Sequence, residues 1–77
     1  MIHDELRVLT QNARGLRDWK KRKGFFQYVR ERSDIAMIQE AYNVKEDERG
    51  WKNQWGGGVV FSPGTTKSCG SILLYNE

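Results

Sequence analysis

The chain has 77 residues, of which 38% are hydrophobic and 30% charged, and its formal net charge is +3. This length fits one small domain that buries only about 60% of its unfolded surface, and the composition excludes an intrinsically disordered chain. Because the longest apolar run is a few residues, a transmembrane helix and a signal-peptide core are excluded, and we expect an intracellular protein with no membrane partner.

The first predicted elements form a β-α-β unit. Residues 6–12 alternate with a period of two, which favours a strand ending at Asn12, and Gly15 follows as a turn residue. Residues 35–38 form an apolar run too short for a helix, which is typical of a strand buried on both faces. A helix between two such strands normally forms a right-handed crossover, so both strands are expected to run parallel in one sheet.

The predicted helix between these strands begins after Asp18, which can cap it, and ends near Arg32. Trp19, Phe26 and Val29 fall near one face at helical spacing. We therefore expect this face to cover the sheet.

A second helix is expected after Asn43, which is placed to cap it, because residues 46–48 are acidic and suit the positive end of the helix dipole. Trp51 and Trp55 lie four apart on one side, and glycines 56–58 end the helix. Residues 59–61 and 72–75 then predict a hairpin of two strands joined by the turn-rich segment 62–70.

These elements predict an α/β fold with the order β-α-β-α-β-β, in which one sheet carries both helices on one face. The strands are largely apolar at consecutive positions, so the face that bears Met37 is expected to form an uncovered apolar patch. Residues 1–77 are therefore interpreted as part of a larger domain, truncated after an apolar strand.

Polar residues end both strands of the β-α-β unit, at Asn12 and at Gln39 followed by Glu40. Ligands of parallel sheets gather at this edge, and neighbouring strands are about 4.8 Å apart, so Asn12 and Glu40 are expected to share one site. Oxygen ligands of this kind suit Mg²⁺. The alternative is that Glu40 is a solvated surface residue.

Five of the thirteen basic residues lie in the segment 17–23, which suits a polyanion. The alternative is the solvated face of a helix. The single cysteine, Cys69, has no second cysteine for a disulfide or a zinc site. A free thiol is favoured there over a catalytic one.

Two motifs resemble those of the endonuclease/exonuclease/phosphatase family. Residues 9–16 resemble its opening strand motif, which places a strand-end Asn in the metal site, and residues 35–40 resemble the second motif, in which Gln-Glu ends a strand and the Glu binds the metal. The resemblance implies that Asn12 and Glu40 are the catalytic and metal-site residues, that Mg²⁺ is the cofactor with Mn²⁺ as a substitute, and that the complete domain is a four-layer α+β sandwich.

Nearly the whole chain resembles the N-terminal part of the apurinic-like endonuclease domain of non-LTR (LINE-type) retrotransposon polyproteins. The resemblance implies a nuclear enzyme that nicks DNA for retrotransposition. Contacts with the DNA phosphate backbone are expected from a basic set comprising Arg14, Lys20, Lys21, Arg22 and Lys23.

The chain departs from this family at several positions. Ala41-Tyr42 stands where relatives have Thr-His, and Cys69 stands where a basic residue is common. The later Asp-Asn and Asp-His motifs have no match, and His3, the only histidine, precedes the first strand. We therefore expect no activity from this chain alone. The alternatives are a non-catalytic retrotransposon remnant that binds nucleic acid weakly, or a fragment of an apurinic/apyrimidinic repair endonuclease.

Overall fold

The computed structural model describes residues 5–63 and 69–76. The predicted order β-α-β-α-β-β is confirmed, with a short 3₁₀ turn, Lys45–Asp47, added before the second helix. The elements in chain order are β1 (Val8–Asn12), α1 (Trp19–Arg32), β2 (Ile35–Gln39), α2 (Glu48–Trp55), β3 (Gly58–Ser62) and β4 (Ser71–Tyr75). None of the helices described is long and apolar enough to cross a membrane.

The four strands form one mixed sheet in the order β1-β2-β4-β3. β1 and β2 are parallel, as predicted, with Asn12 opposite Gln39. β4 pairs antiparallel with both β2 and β3, so the predicted hairpin is confirmed. The last strand lies inside the sheet because it pairs on both sides, and β3 therefore lies at the edge.

α1 begins and ends where the sequence predicts, and the Asp18 carboxylate accepts a hydrogen bond from the Lys21 amide at 2.8 Å. Phe26 and Val29 face the core, but the expectation that Trp19 joins them is wrong, because Trp19 is 56% exposed. Arg22 takes the inward position instead. Its guanidinium can lie there because backbone carbonyls and an aromatic ring surround it, as detailed below.

The second helix begins one turn later than predicted, and Asn43 does not cap it. Val44 and Asp47 flank the intervening 3₁₀ turn, where the Val44 amide donates to the Asp47 carboxylate at 3.1 Å. Asn43 is fully buried, and its side-chain amide has no hydrogen-bond partner in the described part of the chain. The predicted end of the helix is confirmed at Gly56, which adopts a left-handed backbone with φ of 81°.

Both helices pack on one face of the sheet, where α1, α2, β2 and β4 contribute to one buried apolar cluster that includes Trp51 and Trp55. On the opposite face the strand register aligns Met37, Leu73 and Val60 across three strands. Met37 is 51% exposed and Val60 is 55% exposed. The predicted uncovered apolar face is therefore present in the described residues, and we call these three side chains the outer stripe.

The outer stripe should make the chain bind the dye ANS, because contiguous exposed apolar surface attracts such dyes. Val60→Lys should lower dye fluorescence and leave the far-ultraviolet circular dichroism unchanged, since the Val60 side chain is already in contact with solvent. Leu74→Lys is the matched control on the buried face and should abolish the folded spectrum. Equal dye binding by the parent chain and Val60→Lys would contradict this assignment of the outer stripe.

Candidate functional site

The candidate site lies where β1 and β2 end at the same edge of the sheet. Backbone pairing continues past both strands: the Ala13 amide donates to the Gln39 carbonyl at 2.8 Å, and the Gly15 amide donates to the Glu40 carbonyl at 2.6 Å. Such bonds hold two loops in register beyond the strands that carry them. The backbones that present Asn12 and Glu40 are therefore fixed relative to each other.

The Asn12 and Glu40 side chains are in direct contact at this edge. Asn12 Nδ2 donates a hydrogen bond to Glu40 Oε2. Asn12 Oδ1 accepts a hydrogen bond from the Arg14 amide at 3.0 Å, which defines the orientation of the Asn12 amide. The structure thus brings together the two residues that the strand-end pattern placed near each other.

Three residues at this edge have left-handed backbone conformations that the sequence gave no reason to expect. Arg14, Glu40 and Tyr42 have φ values of 52°, 52° and 57°, and no other non-glycine residue in the described ranges has a positive φ. Each such conformation costs on the order of 1–3 kcal/mol and persists only where surrounding contacts impose it. Backbone strain of this kind tends to concentrate at functional sites.

Tyr42 joins the site through contacts that are distant in sequence. Its amide donates to the Cys69 carbonyl at 2.7 Å, and its ring lies so close to Gly15 that an added Cβ there would be 3.2 Å from Tyr42 Cδ2. A side-chain hydrogen bond with the exposed Cys69, followed by electrostatic interactions with Cys69 and with the Glu40 carboxylate, raises the pKa of Tyr42 above its ordinary value. The phenol is therefore neutral at physiological pH.

The edge brings together oxygen atoms of the kind that a hard divalent cation binds. Glu40 offers a hard carboxylate oxygen, and Asn12 offers an amide oxygen that already accepts one hydrogen bond. Among residues 5–63 and 69–76, no three His, Cys, Asp or Glu side chains come together as a metal-ligand group. One carboxylate with several waters is within the range that Mg²⁺ accepts, so the residues fit as a partial ligand set. His3 lies outside the described residues.

Two members of the predicted basic set have structural contacts. Lys21 Nζ donates to the carbonyls of Ala13 at 3.0 Å and Arg14 at 3.3 Å, so it connects α1 to the loop after β1.

The second of these members, Arg22, is only 8% exposed. Its guanidinium donates to the Leu16 and Arg17 carbonyls and to Gln54, and lies 4.9 Å from the Trp51 ring.

The remaining members of the basic set, Arg14, Lys20 and Lys23, are exposed. The Lys23 ammonium lies 5.5 Å from the centre of the exposed Trp19 ring, within the range of a cation–π contact. These three cations can therefore contact a polyanion, as predicted for the basic set, whereas Arg22 is buried and cannot.

Comparison with known proteins links the chain to a transposon. The chain is 27% identical over 73 residues to the "Transposon TX1 uncharacterized 149 kDa protein" of Xenopus laevis, which covers 94% of this chain and 6% of that protein. The chain thus spans a small fraction of this relative's length. No protein-family model and no solved structure matches the chain.

Tyr42 should titrate above the ordinary tyrosine pKa of 10.0, and Cys69→Ala should lower its pKa towards that value by removing the largest cause of the shift. The difference in phenolate absorbance between the parent chain and Tyr42→Phe isolates this group from Tyr28 and Tyr75. A raised folded pKa stabilises the fold fully below the unfolded pKa, and this contribution is lost as pH rises through the folded value. An unchanged Tyr42 titration in Cys69→Ala would refute the assigned cause.

Proposed function

We propose that this chain forms one side of the active site of a Mg²⁺-dependent DNA endonuclease domain encoded by a retrotransposon. The observation that carries the proposal is the Asn12–Glu40 contact at the shared carboxyl edge of two parallel strands. The similarity to a transposon protein supports the biological setting. Because similarity extends over only 6% of that relative, the activity of the complete protein is part of the proposal.

Glu40 is the residue proposed to hold the cation. Its carboxylate accepts a hydrogen bond from Asn12, whose own oxygen is fixed by the Arg14 amide, so the loop after β1 orients the carboxylate through Asn12. A bound Mg²⁺, or Mn²⁺ in its place, supplies polarisation of a phosphodiester and neutralises the charge that develops on its oxygens. The residues of this chain then determine where the phosphate lies.

DNA is proposed to approach over the N-terminal end of α1 and the loop before it. Arg14, Lys20 and Lys23 present exposed cations there. Lys21 stabilises the loop by donating hydrogen bonds to two of its backbone carbonyls. Contacts of this type bind the backbone without reading base sequence, so they position the duplex and leave cleavage specificity to other residues.

Hydrolysis also requires a group that activates water, and this group is proposed to lie outside the 77 residues. Tyr42 lies near Glu40, but its pKa is raised above the ordinary value, which disfavours the phenolate that a base would require. The chain therefore supplies the metal carboxylate and positioning groups of a site that further residues complete.

A second candidate function is weak, non-catalytic binding of nucleic acid by a retrotransposon remnant. The exposed cations Arg14, Lys20 and Lys23 favour it, because they need no complete catalytic site. Binding of this kind has dissociation constants of roughly 10⁻⁴ to 10⁻⁶ M at physiological salt and falls steeply as salt is added. A repair-type apurinic endonuclease has less support, since the relative found is a transposon protein.

The isolated chain should not nick supercoiled plasmid in the presence of Mg²⁺, because the proposed water-activating base lies outside it. In a longer protein that completes the domain and cleaves DNA, Glu40→Ala should abolish metal-dependent nicking. Glu31→Ala is the matched control, since Glu31 is also an exposed carboxylate but lies on α1 away from the site. Retained nicking by Glu40→Ala would show that Glu40 is not the metal ligand, and nicking by the isolated chain would show that its site is complete.

A further inference from the structure

Three cations lie side by side at α2, Lys45 in the 3₁₀ turn that precedes it and Arg49 and Lys52 within it. The side chains of Lys45, Arg49 and Lys52 form no ion pair or hydrogen bond in the described part of the chain. Elsewhere, Arg7 pairs with Asp34 at 3.3 Å and Arg17 pairs with Asp47 at 3.8 Å. The three unpaired cations, which we call the α2 cations, are therefore available to a ligand.

The α2 cations border an open groove between α2 and β3. The groove has a volume of about 660 Å³, and Val59, Val60 and Phe61 of β3 line its other side. Glu48 is the single carboxylate in its lining, so cations outnumber it by three to one. The groove thus combines an apolar wall with a positively charged rim.

β3 is an edge strand, because it pairs only with β4 in the described sheet. The side of β3 that faces away from β4 therefore presents backbone N–H and C=O groups with no neighbouring strand. An exposed edge of this kind is the site at which an extended peptide can add to a sheet. Three residues of this edge strand, Val59, Val60 and Phe61, also line the groove.

We propose that β3 binds an extended acidic segment of a partner protein, which adds to the sheet as a fifth strand beside the α2 cations. Directly opposite residues on paired strands point to the same face. Side chains of the added strand opposite Val59 and Phe61 would face α2, where carboxylates meet the cations. Side chains opposite Val60 would lie on the outer face, where apolar residues extend the outer stripe.

This geometry specifies the sequence of the partner segment: acidic residues at one set of alternate positions and apolar residues at the other. A second copy of this chain is a poor occupant, because symmetric pairing of two β3 edges would bring the α2 cations of both copies together. The phosphates of a nucleic acid strand would also pair with the α2 cations. A nucleic acid strand has no regular series of N–H and C=O groups to pair with the backbone of β3, whereas a peptide has one, so the peptide is the better occupant.

The proposed peptide site is separate from the Asn12–Glu40 edge and does not rest on the endonuclease proposal. β3 and β1 lie at opposite ends of the sheet order, three strand spacings apart. With about 4.8 Å per spacing, the separation is about 14 Å. Peptide binding and nuclease function can therefore fail or succeed independently.

The test uses a labelled, end-capped eight-residue peptide that alternates glutamate with valine, and fluorescence anisotropy with the 77-residue chain. The peptide should bind, and Arg49→Ala/Lys52→Ala should weaken binding about fivefold, as expected for two partly exposed charge pairs. Lys20→Ala/Lys23→Ala removes the same charge from α1 and should leave binding unchanged. Hydrogen exchange should show new protection of amides within Gly58–Ser62.

Two peptide controls separate strand addition from simple charge attraction. A peptide with the same composition but all glutamates followed by all valines, and an alternating peptide N-methylated along one edge, should both fail to bind. Binding of either control, equal losses in the two double variants, or absence of binding by the alternating peptide would overturn the proposal. Self-association of Arg49→Ala/Lys52→Ala without peptide binding by the parent chain would also overturn it, because the cations would then only prevent pairing between β3 edges.

Discussion

Parallel pairing of β1 with β2 is the constraint on which the rest of this structure depends. It brings two strand ends that are 27 residues apart in sequence, at Asn12 and Gln39, to the same edge. Because the loops continue the pairing through the Ala13 and Gly15 amides, the side chains just beyond the strands are also held in register. The Asn12–Glu40 contact, the support from Lys21 and the position of Tyr42 all follow from this arrangement.

The covering of the sheet follows from the same topology. Both helices lie on one face, where Trp51 and Trp55 complete the buried cluster, and this leaves Met37 and Val60 in contact with solvent on the other. Small domains bury a limited fraction of their surface, and an open apolar face lowers that fraction further. The β3 edge adds a second surface that remains unpaired in the described sheet.

Local patterns were sufficient to predict the order of the helices and strands, the bounds of α1 and the juxtaposition of the strand ends. Alternation identified β1, and Asp18 and Gly56 marked helix ends through side-chain capping and left-handed backbone, which are properties of single residues. Sequence patterns failed where tertiary contacts decided the outcome. Arg22 is buried because its donors reach carbonyls and a ring that only the fold brings near, and Asn43 is buried without capping α2.

The strained conformations of Arg14, Glu40 and Tyr42, and the approach of Cys69 to Tyr42, had no local signal, because they arise from long-range backbone bonds. The most direct test of the central claim, that Glu40 is a cation ligand, is Mn²⁺-induced broadening of amide signals in a ¹⁵N spectrum of the chain. We expect broadening centred on Glu40 and Asn12 that disappears in Glu40→Gln. Broadening confined to the acidic segment 46–48, and unchanged in that variant, would contradict it.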